Sequence, residues 1–210
     1  MRTLFLLRYS QLTQSNMMKS VAKFMEKTGM SDPSQLIKVV SQEGGLPLNQ
    51  YKPEELDLIK QTGIIYLFKI GRITEKEFVD NMNQKVGINL DFDTFKECWN
   101  SMCTIQPETI VFLREIEQLQ KQKEDDFGIH IIGNTNSMHA KYIEEQLKQA
   151  GIDIKMSRTV SFEVGCFDPE PSEEQTNGLQ IVDLRNKTDV LEEIYCFYPK
   201  TNTSLRPRPC

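Results

Sequence analysis

Two short apolar runs, Thr3-Leu-Phe-Leu-Leu-Arg-Tyr9 and Phe127-Gly-Ile-His-Ile-Ile-Gly133, are separated by a stretch, Asn16 to Met102, patterned as helix throughout. Runs apolar at nearly every position suit strands covered on both faces, as in parallel sheets. After the second run, strand-like and helix-like segments alternate. One strand, a helical insert, then the rest of a sheet predicts an α/β protein with a parallel sheet and helices on both faces. The expected division is a core of residues 1–15 and 103–200, an inserted all-helical cap of residues 16–102, and a loose tail of residues 201–210.

Local signals fill in the insert. Met17, Val21, Phe24 and Met25 fall at helical spacing, and Ser31-Asp-Pro33 opens a second helix with Leu36, Ile37 and Val40 inward. A long helix is expected from Pro53 to near Gly71, and Thr74-Glu-Lys-Glu77 reads as a capping box for the next. Asp93 is the expected cap of a fifth, with Phe95, Trp99 and Met102 as core. Beyond Pro107 the pattern predicts a helix on Ile110, Leu113, Ile116 and Leu119, the strand at Gly128 to Ile132, and a helix from Ser137 to Ala150. Short β-type runs follow at 158–162, 179–184 and 194–198.

The bulk composition excludes several classes of function. A net charge of −5 gives no electrostatic footprint for nucleic acid. No apolar run reaches the length of a membrane span. Met1-Arg-Thr-Leu-Phe-Leu-Leu resembles the start of a secretory signal, but Arg8 closes the run too early, and a cytoplasmic location is expected. Five cysteines without a Cys-x-x-Cys pair, and two histidines, make a poor zinc set and read as free thiols.

Three segments, in order, resemble phrases of the haloacid dehalogenase-like (HAD-like) hydrolase superfamily. Lys69-Ile-Gly-Arg-Ile-Thr-Glu-Lys-Glu-Phe78 is similar to its cap phrase, Ile131-Ile-Gly-Asn-Thr-Asn-Ser-Met-His139 to its second core motif, and Glu163-Val-Gly-Cys-Phe-Asp-Pro-Glu-Pro171 to its third. The likeness covers nearly the whole chain. It is nearest to members with a small helical cap, such as the phosphatase-like domain of epoxide hydrolases, and it implies a Rossmann-like core. The resemblance also implies a chemistry: a nucleophilic aspartate ending the first strand and an acid two residues on. A serine or threonine after the second strand and a lysine would hold the phosphoryl group, with late aspartates on Mg²⁺.

Carried over residue by residue, that set fails. The nucleophile position falls on Leu6 and the acid on Arg8. No acidic residue precedes Glu26, so no shift of register supplies one. The hydroxyl position falls on Gly133, the lysine on Asp168, and the acidic pair on Asp183 and Leu184. Loss of a covalent nucleophile removes about 10⁶ in rate at an analogous site. A lone Asp183 is a poor Mg²⁺ site. Thr135 is a candidate substitute hydroxyl, and Lys155 or Arg158 a candidate substitute lysine. Neither restores the nucleophile. The expected reading is a catalytically inactive HAD-like protein that binds a protein partner or regulates, without cofactor or metal. The alternatives are an Mg²⁺-dependent phosphatase with a rearranged site, or a non-catalytic sensor of a small phosphorylated ligand.

Two expectations concern the crevice itself. Arg8 is expected to pair with Asp183 or Asp168 across it. The loop Asn134-Thr-Asn136 and His139, at the start of a helix, allow two readings: a weak anion or phosphate site, or ordinary capping of that helix. His130, within its strand, is read as structural. Arg206-Pro-Arg-Pro209 is either a docking peptide or a plain chain end.

Overall fold

The computed structural model describes residues 2–122, 127–185 and 189–197. The expected tail, residues 201–210, lies outside them. Strand β1 (Thr3–Arg8) is central in a four-stranded sheet of order β5-β4-β1-β6, with β4 (Phe127–Gly133), β5 (Met156–Val160) and β6 (Gln180–Asp183). Every pairing is parallel, and the register sets Leu6 opposite both His130 and Asp183. A small antiparallel ribbon, β2 (Gln14–Ser15) with β3 (Cys103–Thr104), joins the points where the chain leaves the sheet region and returns.

Side-chain alternation divides the sheet into two unlike faces. Phe5, Leu7, Phe127, Ile129 and Ile131 pack in one cluster with Leu113, Ile116 and Leu119 of α8 (Pro107–Gln122), Ile143 and Leu147 of α9 (Ser137–Gln149), and Ile194 of α12 (Val190–Phe197). The other face carries a smaller cluster of Leu4, Leu6 and Ile132 against Leu179. There the one-turn helix α11 (Glu173–Thr176) meets the sheet where the Thr159 hydroxyl donates to Gln175 at 3.2 Å.

Between β2 and β3 run α2 (Met17–Thr28), α3 (Ser34–Gln42), α4 (Pro53–Thr62), α5 (Ile64–Lys69), α6 (Glu75–Val86) and α7 (Phe92–Asn100). Their apolar stripes close on Phe78. Its ring stacks on Phe68 at 4.2 Å and meets Trp99 edge-on at 4.9 Å and Phe95 at 5.9 Å. The Thr74–Glu77 capping box forms as read, both side chains bonding back to the opposite backbone.

Several expectations are corrected. The long helix from Pro53 breaks at Gly63, because Glu43 at the end of α3 caps the start of α5. Its carboxylate accepts from Ile64 N–H at 3.0 Å and its carbonyl from Ile65 N–H at 2.9 Å. The cap of α7 is Asp91, which accepts from Thr94 N–H, while Asp93 sits in the first turn. The β-type run at 194–198 is helical through Phe197, where Val190 and Ile194 share a face and the Asp189 carboxylate accepts from Glu192 N–H at 3.0 Å. Cys98, Cys103 and Cys166 are free thiols as read, but Cys196 is in a disulfide. Spacing along a chain does not report which side chains meet.

Candidate functional site

The positions singled out from the sequence converge at the carboxyl edge of the sheet, where open α/β folds place their ligand crevice. Leu6 is 4% exposed and packs with Leu4 and Ile132. Its carbonyl accepts from Leu184 N–H at 2.9 Å, which brings Asp183 and Leu184 alongside. Two residues on, β1 ends at Arg8, exposed, and Tyr9 opens the short helix α1 (Tyr9–Leu12). Gly133 ends β4 with φ +152°, and a Cβ built there would stand 3.0 Å from the Cβ of Tyr9. A side chain at this position would require Tyr9 to give way by a few tenths of an ångström. Burial pushes the Tyr9 phenol well above its ordinary pKa, and its hydroxyl donates to the His139 carbonyl at 3.4 Å.

The expected Arg8 pairing is replaced by another. Asp183 is gripped by Arg185, whose Nε lies 2.9 Å from Oδ1 and whose Nη2 lies 2.6 Å from Oδ2; Arg185 also bonds Glu170. The Arg185 hydrogen bond is the main cause of the depressed Asp183 pKa, with Arg8 only a distant contributor. Two residues along an extended turn reach the carboxylate with less chain ordering than a partner on another strand. Asp168 is held by Asn134. Asn134 Nδ2 donates to the Asp168 carboxylate at 2.9 Å and Asp168 N–H donates to Asn134 Oδ1 at 2.8 Å, with Asp168 at φ +50°.

Of the substitute residues, Lys155 and Arg158 are engaged elsewhere, while the Thr135 side chain bonds Tyr9. Lys155 precedes β5 and lines a hollow at the amino ends of the strands with Arg2, Glu117 and Lys121. Arg158 is tied to Glu144 and to Glu163, the latter at 2.7 Å. Thr135 is buried, and its N–H donates to Ser161 Oγ at 3.1 Å. Ser161, buried at the head of α10 (Ser161–Val164), also donates toward the Thr135 carbonyl at 3.0 Å and the Lys69 carbonyl at 2.7 Å. One hydroxyl thus joins the β4–α9 loop, the end of β5 and the inserted helices.

Further contacts fasten the same junction. Tyr66 stacks on Phe167 at 4.7 Å. The backbone at Gly71, φ +68°, lies so close to α10 that an added Cβ would be 2.1 Å from the Phe162 carbonyl oxygen. Lys141 of α9 pairs with Glu75 of α6 at 2.8 Å. Lys69 Nζ donates to the Gly44 carbonyl at 3.2 Å, and burial lowers its pKa to about 8. None of Ser161, Tyr66, Phe167 or Gly71 was singled out for this role. Their meeting depends on long-range packing that leaves no mark in local spacing.

Asn136 and His139 are bound to each other. Asn136 Oδ1 accepts from His139 N–H at 3.0 Å, which caps α9 and fixes the amide orientation. Asn136 Nδ2 then donates to His139 Nδ1 at 3.0 Å, so the imidazole carries its proton on Nε2, 3.4 Å from the Trp99 carbonyl. The ring stacks on Trp99 at 5.7 Å. Burial, then the nearby Lys69 charge, lowers its pKa to about 4. His130 is fixed by the same logic. Ser172 N–H donates to Gln175 Oε1, Thr159 donates to that oxygen, and His130 Nε2–H donates to Thr159 at 2.9 Å.

Among the described residues no group of three or more histidine, cysteine or acidic side chains is placed to hold a metal ion. The residues at the crevice do not fit Mg²⁺: a guanidinium grips the Asp183 carboxylate, and its register partner is an apolar leucine.

No sequence-family profile and no curated protein matches the chain. Solved structures do. A magnesium complex of a HAD-family enzyme from Bacteroides thetaiotaomicron superposes with TM-score 0.54 at 16% identity, covering 95% of this chain and 99% of that one. The same enzyme with magnesium and inorganic phosphate gives TM-score 0.53 at 16% identity over 81% of this chain and 74% of that one. A structure described as a predicted HAD-like family hydrolase from Porphyromonas gingivalis gives TM-score 0.51 at 12% identity, covering 95% and 99%. The fold is that of HAD-family enzymes. Within this fold Leu6, Gly133 and Asp183 lie toward the carboxyl ends of β1, β4 and β6. No helix among the described residues is long and apolar enough to cross a membrane.

Proposed function

We propose that this HAD-like chain does not transfer phosphoryl groups and acts as a protein-binding or regulatory module, with residues 16–102 as its cap. The observation that carries this reading is Leu6, an apolar buried side chain where an attacking carboxylate would stand, beside an Asp183 already engaged by Arg185. The partner in this reading is a protein rather than nucleic acid or membrane, and the setting cytoplasmic. The test is turnover of an aryl phosphate with Mg²⁺ together with a pull-down from native lysate. The reading expects no turnover above buffer and recovery of a defined partner.

A second reading, an Mg²⁺-dependent hydrolase with a rearranged site, draws its support from the structural neighbours. They are HAD-family enzymes, and an aspartate-to-alanine variant of the Bacteroides enzyme is also described with magnesium and inorganic phosphate. Turnover that depends on Mg²⁺ and is lost in Asp183→Asn would establish it. A thermal shift with phosphate metabolites but no turnover would establish the third, a ligand sensor at the Asn134–Asn136 loop.

A further inference from the structure

The chain passes from α11 into β6 through a type II turn over Thr176–Leu179. Asn177 has φ −60° and ψ 128°, Gly178 has φ +73°, and the Leu179 N–H donates to the Thr176 carbonyl at 3.1 Å. The third position of such a turn needs a positive φ, which glycine supplies without strain. This is the one Asn-Gly pair in the chain. Both residues are exposed, and no atom of a non-adjacent residue lies within 4 Å of where a Cβ on Gly178 would stand. Among the described residues neither the Gly178 N–H nor the Asn177 carboxamide has a hydrogen-bond partner. A glycine nitrogen is the least hindered nucleophile a main chain offers, and the preceding carboxamide carbon is within reach of it through a five-membered ring. Closure needs a rotation about the Asn177 Cα–C bond, against which the turn is held by the Leu179–Thr176 bond in an exposed segment. The two asparagines that precede serine are placed differently. Asn100 and Asn136 are 3% and 1% exposed, and Asn136 bonds His139 through both amide atoms. Asn134, before threonine, is tied to Asp168 in the same way.

We propose that Asn177 is a modification site at which the chain converts itself to isoaspartate. The Gly178 nitrogen attacks the side-chain carbonyl carbon, a new C–N bond forms, and the amide group leaves as ammonia with the proton that Gly178 gives up. Water then opens the cyclic imide at either carbonyl, giving aspartate or isoaspartate, and nothing is oxidised or reduced. In isoaspartate the main chain runs through the former side chain and gains a methylene between α11 and β6. Leu179, which packs on Leu4, Leu6 and Ile132, comes two residues later, followed by Gln180, whose N–H donates to the Arg2 carbonyl at 3.0 Å. The modification therefore loosens β6 at its amino end. The site stands whichever reading of the carboxyl-edge crevice holds.

The test incubates the full chain in warm, mildly alkaline buffer and digests it with trypsin. The peptide Thr159–Arg185 holds no asparagine besides Asn177. It should gain the mass of an amide-to-acid exchange and separate into two products of equal mass, one of them a substrate for an isoaspartate methyltransferase. Gly178→Ala should slow the gain. Asn177→Gln, whose longer side chain would have to close a six-membered ring, should abolish it. Hydrogen exchange at Leu179 and Gln180 should quicken in the converted protein but not in Asn177→Asp, which adds the charge without the methylene. The proposal is overturned if the wild-type peptide keeps its mass while that from urea-unfolded chain gains it, or if fragmentation places the gain on Gln175 or Gln180. It is overturned equally if Asn177→Gln converts as fast as the wild type, or if exchange in the converted protein matches that in Asn177→Asp.

Discussion

At Gly133 a positive φ and the close approach of Tyr9 act together, so two independent penalties meet any side chain placed there. Gly133→Ala should lower stability by about 1–3 kcal/mol, read from urea denaturation midpoints. Gly133→Ser should cost about the same and bring no phosphatase activity, since a hydroxyl does not replace the carboxylate absent at Leu6. His139 gives a second residue-scale expectation. Its ordinary pKa is 6.5 and its folded value about 4. Between those values the unfolded chain binds a proton that the folded protein refuses, so stability falls as pH drops through that window. With each pH unit worth about 1.4 kcal/mol, the loss reaches about 3 kcal/mol near pH 4. The protonated ring would also set an Nδ1–H against the Asn136 amide donor. Denaturation at pH 7 and pH 4.5 should show a smaller difference in His139→Gln than in the wild type. A residual slope is expected from His130, which burial shifts the same way, and from carboxylates common to both proteins.

The elements that matter most are α5 and α10, because a single hydroxyl and a single glycine join them. Ser161→Ala leaves the Thr135 N–H, buried with the junction, without its acceptor and should cost about 1–3 kcal/mol. Gly71→Ala should be worse, since backbone must move to admit the new Cβ. For both, the measurement is hydrogen exchange at α5 and α9, where protection should fall together. Much at this scale was readable beforehand. Thr74–Glu77 announced α6, and Gly151 the end of α9. The failures have physical causes. The break at Gly63 comes from Glu43, twenty residues earlier, and α12 is not legible as a helix because a short apolar run has no period of its own. Leu6, Gly133 and Asp183 lie toward the carboxyl ends of β1, β4 and β6. What spacing does not report is how the two carboxylates are engaged, Asp183 by the Arg185 guanidinium and Asp168 by hydrogen bonds with Asn134, because neither contact carries a periodic signature.

For the whole molecule, Met138, His139 and Ser161 join the inserted helices to the sheet region. Chelation tests this directly: if no divalent ion is part of the structure, EDTA should leave the unfolding temperature unchanged within about 1 °C. A fall of several degrees, reversed by added Mg²⁺, would instead support the hydrolase reading. The order of the sheet has a further consequence, for assembly. Strand β1 lies inside the sheet and is made before the strands that flank it, and its neighbour β4 begins at Phe127, after the whole insert has been synthesised. At about 5–20 residues per second, on the order of ten seconds pass between the emergence of β1 and its first partner. During that interval Leu4 to Leu7 form an apolar ribbon with both edges unpaired, the kind of segment chaperones retain and aggregates recruit. The nascent chain, rather than the finished protein, is therefore where this topology is most vulnerable.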